Sequence, residues 1–86
     1  MKILIIGRKS RIGLSLKKYL GNFFFIRMDN YKEIENKKSI FFNQFDYLIN
    51  CSSNKSYIEK KYNLKNNYDY QIAKKIANSD VKQIFL

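Results

Sequence analysis

The sequence predicts an α/β domain of three layers, a small parallel sheet of about four strands flanked by helices. Three observations carry that prediction. A continuous apolar run, Lys2-Ile-Leu-Ile-Ile6, has the pattern of a strand buried on both faces. Short apolar runs then alternate with amphipathic stretches along the chain, which implies parallel strands joined by right-handed crossovers. The first such join is a glycine-bounded turn, Gly7-Arg-Lys-Ser-Arg-Ile-Gly13.

Taken in order, Lys2 to Ile6 suits the central strand. From Ser10 to Leu20 the residues Ile12, Leu14, Leu16, Tyr19 and Leu20 recur near helical spacing, with Lys17 and Lys18 opposite and Gly21 as a stop. Phe23 to Met28 is a second strand, closed by the turn formers Asp29-Asn30. Tyr31 to Lys38 reads as a loop or frayed helix, and Ser39 to Phe45 as a short helix or a third strand. Phe45 to Cys51 is the next clear strand, with Cys51-Ser52-Ser53 marking a turn at a carboxyl edge. Tyr57 to Tyr62 is weakly helical. Lys65 to Asn78 places Tyr70, Ala73, Ile76 and Ala77 on one helical face, and Val81 to Leu86 resumes strand character.

Composition narrows the function. At 86 residues the chain is one small domain, with 45% apolar residues to supply a core. Its net charge of +10 would attract phosphate-rich partners, RNA included. The lysines are nevertheless dispersed, with no run longer than two, and Arg is scarce, so a compositional bias explains the charge better than a nucleic-acid patch does. A single cysteine, Cys51, excludes an internal disulfide, and the absence of histidine removes zinc-finger spacing and every His-dependent triad. Ile3 to Ile6 is too short for a signal-peptide core and no run reaches the length of a membrane span, so a cytoplasmic chain is expected.

The turn after the first strand is where chemistry enters. In a Rossmann-type dinucleotide-binding fold the first glycine permits the turn, the middle small residue lets the backbone approach the pyrophosphate, and the last lets the helix pack on the strand. The helix start offers free N–H groups and a partial positive charge to the phosphates. Arg8, Lys9 and Arg11 add charge at the same place. Asp29 follows Gly7 by 22 residues, near the spacing of about 20 for the carboxylate that holds an adenosine ribose. That carboxylate favours NAD, while Arg27 and Arg8 leave NADP open.

These residues resemble the amino-terminal part of the NAD(P)-dependent epimerase/dehydratase family, the extended short-chain dehydrogenases that include dTDP-4-dehydrorhamnose reductase-like enzymes. Gly7, Ser10 and Gly13 occupy the three positions of its Gly-x-x-Gly-x-x-Gly turn, with Ser in the middle place. Asp29-Asn30 looks like the end of its second strand, and Phe45-Asp-Tyr-Leu-Ile-Asn-Cys-Ser-Ser53 like its Asp-x-x-Ile-Asn-x-Ala-Ala strand. Asn66 looks like the start of the helix that follows. The resemblance implies NAD or NADP as cofactor, held by Gly7, Ser10, Arg11, Ile12, Gly13, Asp29, Asn30, Cys51 and Ser52, and a nucleotide-sugar substrate for a full-length relative. In the family a catalytic Ser follows the last strand matched here and a Tyr-x-x-x-Lys pair lies beyond it. The expectation is therefore a cofactor-binding portion, apparently truncated and inactive alone.

Tyr57 to Lys61 and Tyr70 to Lys74 both match Tyr-x-x-x-Lys, but a chain with seven Tyr and abundant Lys yields roughly one such match by chance. Cys51 lacks a histidine to activate it and reads as core packing. Phe23, Phe24, Phe25, Phe41, Phe42 and Phe45 could stack bases, but core or a domain interface is the better reading. The rival from another class is a small basic α/β module that binds RNA or another polyanion.

Overall fold

A computed structural model describes residues 1–52 and 67–85. Within these the order is β1 (Lys2–Ile6), α1 (Arg11–Leu20), β2 (Phe25–Asp29), α2 (Tyr31–Ile34), α3 (Ser39–Phe42), β3 (Tyr47–Asn50), α4 (Tyr68–Ile76) and β4 (Lys82–Ile84). The four strands form one all-parallel sheet in the order β2-β1-β3-β4. The expected α/β fold with a four-stranded parallel sheet is thus present, and β1 takes the central place. Its four residues Ile3 to Ile6 are all buried.

Alternation along β1 separates two cores. Leu4 and Ile6 point to one face, where Leu48 joins them under Ile34 of α2, Phe42 of α3 and Ile72 and Ile76 of α4. Ile3 and Ile5 point to the other, where they meet Ile49 and the partly buried Leu16 and Leu20 of α1. Among the described residues, three helices therefore cover one face and α1 the other. That division follows from handedness, because β1 to β2 and β2 to β3 run in opposite directions across the sheet and right-handed crossovers put their helices on opposite faces.

Several expectations shift. Within Ser39 to Phe45 the chain forms the short helix Ser39–Phe42 and then a turn: Phe42 and Phe45, three apart, face the core while Ile40 lies 77% exposed, a spacing that no strand could give. Phe23 and Phe24 belong to the turn after α1, where their N–H groups donate to the Leu20 carbonyl, so β2 starts later than expected. The inward stripe of α1 is Gly13, Leu16 and Leu20, whereas Ile12, Leu14 and Tyr19 are exposed. On α4 the buried pair is Ile72 and Ile76, with Tyr68 packed beside them, and Tyr70 and Ala77 face outward. Of the phenylalanines, Phe42 and Phe45 are core and Phe24 and Phe41 partly so, but Phe23 and Phe25 are exposed. The weak helix at Tyr57 to Tyr62 lies outside the described residues. Among the described residues no helix is long and apolar enough to cross a membrane.

Candidate functional site

Because the connections from β1 and to β3 lie on opposite faces, the carboxyl ends of these neighbouring strands form the switch point of the sheet. Ligands of open α/β sheets bind at such switch points. Gly7 follows β1 there and Cys51-Ser52 follow β3.

Gly7 has φ +116°, a conformation that favours glycine. Its N–H donates to the Asp29 carbonyl at 2.8 Å, extending the β1–β2 ladder, and the Cys51 N–H donates to the Ile6 carbonyl at 2.7 Å. A Cβ on Gly7 would lie 3.0 Å from the Cys51 carbonyl carbon and 3.2 Å from the Ser52 nitrogen, so the two turns are pressed backbone to backbone. Gly13 serves the other contact. A Cβ there would stand 2.8 Å from the Gly7 carbonyl oxygen and 3.3 Å from the Met28 methyl, so α1 could not approach β1 as closely. Both end glycines thus have the steric roles the sequence assigns them.

Ser10 does something different from the glycine it replaces. It is the N-cap of α1, its hydroxyl accepting the Gly13 N–H at 3.2 Å. The N–H groups of Arg11 and Ile12 are then left at the helix start with no acceptor among the described residues. No acidic side chain occupies the first turn of α1, and the Arg11 side chain is exposed. A donor pair and a helix dipole therefore stand at the turn that follows Gly7, with the exposed Arg11 in the same first turn of α1. The exposed side of α1 carries an open apolar depression of about 480 Å³ lined by Arg11, Ile12, Ser15, Leu16 and Tyr19.

At the end of β2 the geometry departs from the expected ribose contact. Asp29 is 5% exposed and its Oδ2 accepts from Arg27 Nε at 3.1 Å, the two side chains lying on one face of the strand. Arg27 in turn lies over the Phe41 ring, 5.1 Å from its centroid. Asn30 accepts the Arg8 N–H on its Oδ1 at 3.2 Å and donates its own N–H to Glu33 Oε1 at 3.2 Å. Arg8 and Glu33 form an ion pair across the same spot.

At the end of β3 lies a polar cluster in which Ser52, expected from the sequence, is joined by Asn50 and Asp69, which were not. Asn50 Nδ2 donates to Asp69 Oδ1 at 2.9 Å, while Asn50 Oδ1 accepts from the Ser52 N–H at 3.0 Å and the Ser52 hydroxyl at 2.5 Å. Asn67 caps α4 by accepting the Asp69 and Tyr70 N–H groups. Tyr31 and Tyr68, at the starts of α2 and α4, stack with centroids 3.7 Å apart. Burial, helped by Glu35 and Tyr68, holds the Tyr31 phenol above its ordinary range. Burial also pushes the Cys51 thiol up, against a thiolate nucleophile.

Tyr70 and Lys74 do share a face of α4, with Lys74 Nζ 5.7 Å from the ring centroid. Tyr57 and Lys61, Ser53 and Asn66 lie outside the described residues. Among the described residues no three His, Cys, Asp or Glu side chains gather to hold a metal. Comparison of the chain with protein-family models, with curated proteins and with solved structures found no match.

Proposed function

We propose that the chain binds a dinucleotide, NAD or NADP, with the pyrophosphate at the Gly7 to Gly13 turn and the adenosine over the ends of β2 and β3. The observation that carries this reading is the start of α1: Arg11 and Ile12 N–H groups open to an anion, beside a glycine turn at the switch point of a parallel sheet. Ser10 narrows the site but keeps a hydroxyl beside the phosphates. Cys51 and Ser52 form the opposing wall, and Asn30 the floor at β2. The residue pattern further supports placing the chain with the cofactor-binding portion of sugar-nucleotide epimerases, dehydratases or reductases. In such an enzyme the nicotinamide would exchange hydride with a sugar carbon, and nothing among the described residues supplies the proton-transfer Ser and Tyr for that step.

The charge of +10 favours a second reading, salt-sensitive binding of RNA or another polyanion. Ser10→Asp separates the two. Aspartate is as good an N-cap as serine, so the helix keeps its cap while a fixed carboxylate repels phosphate. Following NADH and NADPH fluorescence, the dinucleotide reading expects saturable binding to the native chain, weakened about tenfold or more by Ser10→Asp at an unchanged melting temperature. Binding that ignores Ser10→Asp and falls steeply with salt would favour the polyanion reading instead.

A further inference from the structure

Resting on the dinucleotide reading, we propose that the adenosine end of the site selects a 2′-phosphorylated dinucleotide, of the NADP type, and that Arg8 is the residue that reads the phosphate. A dinucleotide with free ribose hydroxyls needs an acceptor at the end of β2. Asp29 stands at that place in sequence, but it is 5% exposed and its carboxylate is held by Arg27 on the same face of the strand. One of its two oxygens is already engaged. Arg8 occupies the same end of β2: its N–H donates to the Asn30 side chain at 3.2 Å, and its guanidinium reaches Glu33 in the first turn of α2. The Arg8 side chain is 52% exposed.

An exposed ion pair of this kind contributes little to stability, so the guanidinium is readily drawn to a stronger partner. A phosphate monoester near its full charge is such a partner, since it offers three acceptor oxygens that suit the fork of an arginine. Glu33 then acts as a holder that keeps Arg8 over the end of β2 until the phosphate arrives. The ribose place is thus built with its carboxylate turned in and a cation turned out.

Fluorescence titration of the full chain at 0.15 M salt tests this directly, with NADPH against NADH and adenosine 2′,5′-bisphosphate against AMP as competitors. NADPH and the bisphosphate bind about tenfold or more tightly than their counterparts, the weight of one charge-assisted contact. Arg8→Ala lowers NADPH affinity about tenfold more than it lowers NADH affinity and so removes that preference, Arg8→Lys retains part of it, and Glu33→Gln raises NADPH affinity. Equal affinity for the two dinucleotides, or an Arg8→Ala change that weakens both alike, overturns the proposal while leaving dinucleotide binding intact. Failure of either dinucleotide to bind the folded chain overturns both.

Discussion

Gly7 and Gly13 flank one turn but are required for different reasons, and substitution separates them. At Gly7 a side chain meets both an unfavourable φ of +116° and the Cys51 backbone 3.0 Å away, which neither turn can relieve without opening the ladder. Gly7→Ala is expected to cost about 1–3 kcal/mol in denaturant unfolding. Gly13→Ala keeps a comfortable helical backbone and meets the Gly7 carbonyl at 2.8 Å, so its cost of about 1–3 kcal/mol comes from α1 being pushed off β1. The two are told apart by near-ultraviolet circular dichroism or amide exchange in α1, which Gly13→Ala loosens selectively. These roles were legible in the sequence because steric demands on glycine are local. The fate of Asp29 was less so, although the signal existed: Arg27 and Asp29 are two apart on a strand and so share a face. Asn50 and Ser52, joined to Asp69 nineteen residues beyond Asn50, needed the fold to bring them together.

Among the elements, the helices test how far periodicity can be trusted. The positions of α1 and α4 followed from apolar spacing and caps, but the buried face of each was off by part of a turn. On α4 the tertiary partners Phe42 and Leu48 select Ile72 and Ile76, four apart, over Tyr70 and the C-cap Ala77. Ile72→Ala should therefore cost about 2–5 kcal/mol, and Tyr70→Ala no more than about 1 kcal/mol, in the same urea titration. Comparable costs for the two would mean that the helix is rotated from the orientation described. On α1 the contact with the sheet is narrow, made at Gly13, Leu16 and Leu20, and Ile12 and Tyr19 stay in solvent. The short helix α3 was ambiguous because four residues are too few for a period to declare itself.

For the molecule as a whole, strand order is what turns separate signals into a site. Alternating strands and helices predict a parallel sheet, yet only the order β2-β1-β3-β4 puts the ends of β1 and β3 side by side at the point where the crossovers part. That arrangement brings the Gly7 turn, the start of α1 and the Cys51-Ser52 turn together, while the dispersed positive charge surrounds them without defining them. The most direct test of the account is an amide correlation spectrum of the full chain titrated with NADPH at 0.15 M salt. Dinucleotide binding at this edge gives saturable shifts concentrated at Gly7 to Gly13, Asn30 and Cys51-Ser52, with the amides of Arg11 and Ile12 moving most. Shifts scattered over lysine-bearing surfaces on all sides of the sheet, or none at that edge, would contradict it.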